Sequence, residues 1–162
     1  MKTEKHILTM LVENKPGVTA RVSGLFAGRG YNIETICGAP TANPKMSRIT
    51  ITTRTNPEML EQIIKQLRRL VEVIKVRDMT GKEAVQREMA LICVRARPES
   101  RTEILRLVEI FGGKVVDTGS EHYIIEVIGR EDKVNALLRL LEPMGIEKLS
   151  RSGVLALYRE PH

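Results

Sequence analysis

The 162-residue chain contains no tryptophan and only 3% aromatic residues, so it has little with which to stack on bases or sugar rings. Cysteine is nearly as scarce. Cys37 and Cys93 stand alone without CxxC spacing, which excludes a disulfide framework and a thiol metal knuckle and points to a reducing, cytoplasmic setting. His6, His122 and His162 lie too far apart in sequence to suggest a zinc site, and no structural metal is expected. There is no amino-terminal segment of signal-peptide type and no apolar run long enough to cross a bilayer, so no membrane partner is expected. Catalytic machinery is missing as well. No serine has a GxSxG context, no histidine falls in a triad order, and neither cysteine has a neighbouring histidine to activate it, so no catalytic residue is assigned.

What is present is aliphatic and charged: 42% hydrophobic and 28% charged residues, ordinary for a folded protein. The formal net charge of +6 lies wholly in the first half, where residues 1–80 hold 13 Lys+Arg against 7 Asp+Glu. The densest cluster, "KQLRRL" (65–70), has the spacing of one solvated helix face rather than of a nucleic-acid groove.

"KHILTMLVE" (5–13) is a strand-length run, and Val18, Val22, Leu25 and Phe26 recur beyond it as one helical face. Gly28 and Gly30 stop that helix, and Gly24 with Gly28 reads as a close helix-packing stripe. "YNIETICG" (31–38) and "SRITITTR" (47–54) follow as strands, separated by the loop "APTANPKM" (39–46). Asn56 and Pro57 cap a second helix carrying Leu60, Ile63, Ile64 and Leu67, and "VEVIKV" (71–76) closes the unit. After a polar connection at 79–86 the order repeats. "EMALICVRA" (88–96) reads as a strand and 99–113 as a helix with capping-box spacing from Ser100 to Glu103. A hairpin at 114–129, a helix at 130–145 and closing strand material in "IEKLSRSGVLALY" (146–158) complete it.

Written twice, βαββαβ predicts an α+β protein of two ferredoxin-like units, each an antiparallel four-stranded sheet with its helices on one face. The expected division is 1–78, a linker at 79–86, and 87–162. In "ILTMLV" both alternating sets are largely apolar, so the open face of the first sheet should be covered by another domain or subunit. Edge strands that invite side-by-side pairing point to a homodimer.

The turn "VENKPGV" (12–18) is the one stretch whose physics selects a ligand. A helix start has N–H groups without partners and the positive end of the helix dipole, so bare backbone at Gly17 and Val18 suits a carboxylate. The same residues also suit a plain helix start in which Asn14 caps and Pro16 opens. "GRGYNI" (28–33) lacks the third glycine of a dinucleotide fingerprint and ends a helix instead of opening one. RNA binding is disfavoured because strands one and three lack stacking aromatics, and no helix-turn-helix is seen before residue 5 or after 158.

"VENKPGVTARVSGLFAGRGYNIETI" (12–36) closely resembles the ACT-domain segment of the acetolactate synthase regulatory (small) subunit family. "APT" (39–41), "SRITI" (47–51), "EQIIKQLRRLVEVIKV" (61–76), "ILRLVEIFGGKVVD" (104–117) and "RSGVLALYR" (151–159) extend the resemblance over nearly the whole chain. The resemblance implies a noncatalytic partner that stimulates the large catalytic subunit and confers feedback inhibition by a branched-chain amino acid, usually valine. It places thiamine diphosphate, Mg and FAD in that catalytic subunit and no cofactor in this chain. It also places the effector between two ACT domains, with Asn14, Pro16, Gly17 and Val18 from one chain facing Asn32 and Ile33 from the other. Backbone N–H groups would take the carboxylate, an Asn14 or Asn32 amide oxygen the ammonium, and Ile33 the aliphatic part. An amino-acid-binding ACT regulator of a different enzyme is the alternative; neither reading involves nucleic acid or membrane.

Overall fold

The computed structural model describes residues 2–81 and 83–160, so His162 and one residue of the expected linker, Lys82, lie outside the described residues. The first unit is built from β1 (Glu4–Glu13), α1 (Val18–Gly28), β2 (Ile33–Pro40), β3 (Met46–Thr55), α2 (Pro57–Arg68) and β4 (Val73–Asp78). The second contains β5 (Ala84–Arg95), α3 (Arg101–Ile110), β6 (Lys114–Thr118), β7 (His122–Gly129), α4 (Glu131–Leu141), a single 3-10 turn at Glu142–Met144, and β8 (Ile146–Arg151). Strand orders are β2-β3-β1-β4 and β6-β7-β5-β8, and the pairings within these two orders are antiparallel. Both halves thus have the expected ferredoxin-like topology.

Each unit has its own aliphatic core. In the first, Leu8, Met10 and Val12 of β1 and Ile49 and Ile51 of β3 meet Val18, Val22 and Phe26 of α1 and Leu60, Ile63 and Leu67 of α2. In the second, Ala90, Ile92 and Val94 meet Ile104, Leu107, Val108, Val134, Leu137 and Leu141. Helix α2 starts as its sequence dictates: Pro57 takes the first position and Asn56 Oδ1 accepts the Met59 N–H at 2.9 Å. Helix α3 does not form the expected capping box. Ser100 has φ −111° and ψ −10°, outside the extended geometry that lets a cap hydroxyl reach the helix N–H groups, and its Oγ donates instead to the Arg97 carbonyl at 3.2 Å.

The closing strand material at 146–158 resolves into two strands: β8 ends at Arg151, Gly153 turns the chain with φ +81°, and β9 (Leu155–Tyr158) pairs with β5, adding a fifth strand to the expected four. By compactness the first unit takes in the described residues up to 85 and from 154 onward, and the second 86–153. Val154 and Ala156 join Ile7, Met79 and Ala84 in a small buried cluster on the face of the first sheet away from its helices. Met79 N–H donates to the Ile7 carbonyl at 2.7 Å, Ile7 N–H to Thr80 Oγ1 at 2.9 Å, and Tyr158 OH to the Asp78 carbonyl at 2.8 Å. The supposed linker is therefore partly core, and residues of the same unit cover Ile7 on the second face of β1. Beside this cluster Thr9 and Thr50 bury their hydroxyls against each other at 3.2 Å.

The turn into β9 is held within the second unit. Arg151 makes a two-pronged hydrogen bond to the buried Glu88 carboxylate, and Ser152 Oγ accepts the Met89 N–H at 3.0 Å. Hydrogen bonding to Glu88 pushes the Arg151 guanidinium above its ordinary range, against the opposing effect of partial burial.

Gly24 and Gly28 do not form the expected packing stripe. A Cβ built on either meets no atom within 4 Å, and both face outward on α1. With nothing to relieve, Gly24→Ala is expected to stabilise the chain by about 0.5–1 kcal/mol, the helix-propensity difference, read from urea unfolding. Destabilisation would show that this face of α1 is covered in solution. Among the described residues, no helix is long and apolar enough to cross a membrane. Nor do three His, Cys, Asp or Glu side chains converge as metal ligands among them.

Candidate effector site at the first turn of helix α1

The turn leaving β1 brings backbone to a helix start without a side-chain cap. Gly17 occupies the N-cap in the left-handed region (φ +84°, ψ −8°), a conformation that costs an L side chain about 1–2 kcal/mol. Arg21 N–H bonds the Gly17 carbonyl at 3.0 Å, while the Thr19 and Ala20 N–H groups have no partner among the described residues. Those two donors sit at the positive end of the α1 dipole, which favours an anion there.

Asn14 is not the helix cap. Its backbone N–H donates to the Lys45 carbonyl at 2.8 Å and its Nδ2 to the Pro44 carbonyl at 3.0 Å, which ties the turn to the β2–β3 loop. This double tether fixes the amide plane and leaves Oδ1 free to accept, the polarity an ammonium needs. Lys15 Nζ pairs with Glu13 at 3.0 Å beside it. Arg21, paired with Glu72, reaches across the turn so that a Cβ on Gly17 would lie 3.1 Å from its Nη1.

Beside this polar corner lies a cleft of about 400 Å³, within the size range of small-molecule sites. Its polar end is Glu13, Asn14, Lys15 and Thr19; its apolar part is Val12, Val18, Ile36 and Ile49, with Gly38, Ala39, Pro40 and Ser47 along the strand side. The partner of the turn within the chain is therefore the far half of β2.

Of the residues expected to form a site, Asn14 and Val18 line this cleft, and Pro16 and Gly17 shape the turn at its edge. Asn32 and Ile33 are not brought to it. They stand at the opposite end of β2, an eight-residue strand in which seven steps of about 3.3 Å separate Ile33 from Pro40 by roughly 23 Å. There the Asn32 carbonyl accepts from Thr53 Oγ1 at 2.8 Å and Ile33 packs at the margin of the first core. Glu13, Lys15, Thr19, Ile36 and the Gly38–Pro40 stretch also line the cleft, and the sequence assigned none of them to a site. The available signal was the glycine inside a strand pattern, which often marks a close approach.

An antiparallel βαββαβ sheet with its two helices on one face, and a glycine turn opening the first helix over a β2 cleft, define an ACT domain followed by a second ferredoxin-like unit. Residues 8–75 match a family model described as the acetohydroxyacid synthase small subunit-like ACT domain, and residues 87–160 match one described as the small subunit of acetolactate synthase. The chain is 47% identical over 155 residues to the probable acetolactate synthase small subunit of Archaeoglobus fulgidus, covering 96% of this chain and 97% of that one. It is 47% identical over 161 residues to the acetolactate synthase small subunit of Aquifex aeolicus, covering 98% of this chain and 83% of that one. Its fold matches the crystal structure of the Thermotoga maritima acetolactate synthase small subunit with a TM-score of 0.88 and 42% identity, covering 98% and 99% of the two chains. The chain belongs to the acetolactate synthase small-subunit family.

Proposed function

We propose that this chain is the regulatory subunit of an acetolactate synthase, that it stimulates a large thiamine-diphosphate-dependent catalytic subunit, and that it confers feedback inhibition by valine. Thiamine diphosphate, Mg and FAD belong, on this reading, to the catalytic subunit. The observation that carries it is the pairing of two unpartnered N–H groups at the α1 start with an aliphatic cleft of small-molecule size. The N–H groups offer a carboxylate seat, the Asn14 amide oxygen an ammonium acceptor, and Val18, Ile36 and Ile49 a surface for a branched side chain.

Side-by-side pairing of a twofold dimer would bring Asn32 and Ile33 of a second copy to the turn, which their distance from it within one chain requires if they bind the effector at all. The argument from a doubly apolar β1 is weakened, because the chain itself buries Ile7 on that face; the open edge of β2 still supports the dimer. A ligand held between two chains acts by its different affinity for two arrangements of the dimer, and valine would favour the one that stimulates poorly.

The experiment is an assay of acetolactate synthesis by the purified catalytic subunit, with and without this chain, across valine, leucine and isoleucine. Stimulation by the chain and its reversal by a branched-chain amino acid are expected, and the chain alone is expected to convert no pyruvate. A catalytic rate indifferent to the chain at saturating ratio would refute the reading. Copurification then separates it from an ACT regulator of another enzyme.

A further inference from the structure

Gly38 lies inside β2 opposite Ile49 and lines the cleft beside the α1 turn. A glycine within a strand weakens it, because it has the most backbone freedom to lose and offers neighbours nothing to pack on. Left-handed backbone, a bulge or the close approach of another group can account for such a residue. Gly38 is not among the glycines with positive φ, and its register with β3 runs unbroken from Thr35 to Pro40. A Cβ built on it would meet nothing nearer than Ile49 Cγ1 at 3.4 Å and the Arg48 carbonyl oxygen at 3.7 Å, which is ordinary contact. The protein's own atoms leave room for a side chain here, and the space that side chain would take is cleft.

We propose that Gly38 sets the size selectivity of the cleft, keeping it wide enough to admit leucine and isoleucine, each one methylene larger than valine. The inference rests on the reading of the cleft as the effector site. The charged side chains lining the cleft, Glu13 and Lys15, belong to the turn, and its floor, Val12, Val18, Ile36 and Ile49, is aliphatic. Ile36, 40% exposed in the single chain, leaves part of that floor open to a ligand side chain. A ligand whose carboxylate sits on the α1 N–H groups therefore extends its side chain toward Gly38, where an added methyl group would displace the end of the ligand. One methylene in a hydrophobic pocket typically changes affinity about tenfold or more.

The test is calorimetric titration of the full chain, Gly38→Ala and Gly38→Val with valine, leucine and isoleucine, with Gly17→Asp alongside and thermal unfolding of each. The parent is expected to bind leucine and isoleucine with affinities comparable to that for valine, the effector of the proposed function. Gly38→Ala should lower affinity for those two about tenfold relative to valine, and Gly38→Val should lower it further. Both variants should melt no earlier than the parent, since a strand glycine is being replaced. A parent that strongly prefers valine, or three ligands weakened in parallel by Gly38→Ala, would overturn the proposal. So would selectivity unmoved in both Gly38 variants; if Gly17→Asp then abolishes binding, the effector site stands without the selectivity role. If Gly17→Asp also binds like the parent, the cleft is not the effector site and the proposal falls with that reading.

Discussion

Gly17→Asp is expected to abolish feedback inhibition, lowering effector affinity by at least a hundredfold, while stimulation of the catalytic subunit stays within about twofold of the parent. The new carboxylate would enter the place the ligand's own carboxylate needs. A Cβ at this position lies 3.1 Å from Arg21 Nη1, so the Asp side chain grows into a corner that already holds a cation and the unpartnered Thr19 and Ala20 N–H groups. Those donors can serve the side chain or the ligand, not both, and two carboxylates there would repel each other. The left-handed backbone at residue 17 adds strain of about 1–2 kcal/mol, which the new ionic contacts offset in part. Gly17→Ala brings the strain without the charge and should weaken binding less; equal losses in the two variants would mean that backbone geometry matters and occupation of the seat does not. Asn32→Ala should be milder again, because losing one hydrogen bond to a charged group costs about 1.5–3 kcal/mol, or about ten- to a hundredfold. Calorimetry with valine, run beside the activity assay, reads all three. Parent-like valine binding by Gly17→Asp would reduce "VENKPGV" to a helix start.

The topology of both units was legible because each element carries its own period. Val18, Val22 and Phe26 mark a helix face, and Ile49 and Ile51 alternate with Thr50 and Thr52 as a strand does. The path of the carboxy-terminal strand was not legible. Nothing in "LSRSGVLALY" distinguishes one bent strand from two, since the left-handed turn at Gly153 follows residues, Arg151 and Ser152, that are anchored to Glu88 and Met89, sixty-odd residues away in sequence. Met79 and Ala84 show why a short apolar contact hides in a polar segment: each is a single residue with no periodic neighbours, and burial comes from a partner 70 or more residues distant. At the site, the turn could be recognised because Pro16 and Gly17 are local signals. Its other wall could not, because Ile36 and Gly38 reach it through the β2–β3 register, and register is set by the pattern of the whole sheet. Asn14 lines the cleft but does not cap α1, since the β2–β3 loop takes its amide.

The second large effect concerns stability, and it follows from the same carboxy-terminal turn. Glu88 is 3% exposed, and its carboxylate is satisfied by Arg151, which reaches it from the neighbouring strand with two guanidinium nitrogens. Arg151→Ala would leave that charge buried without a partner, a loss that typically costs about 3–5 kcal/mol. Because the Arg151 side chain is itself 31% exposed, water can reach part of the vacated space, and the lower end, about 3 kcal/mol, is expected. The loss should appear in urea unfolding of the full chain. The double variant Glu88→Leu with Arg151→Leu should be more stable than Arg151→Ala, since it removes the buried charge together with its partner. Double-mutant comparison makes the mechanism testable apart from the magnitude. If the double variant is no better than the single one, the cost comes from lost packing at the Ser152–Gly153 turn and not from an orphaned carboxylate. Effector binding offers an independent readout, because the effector turn leads from β1 into α1 of the first unit while Glu88 and Arg151 belong to the second. Arg151→Ala that still folds at low temperature should therefore bind valine like the parent.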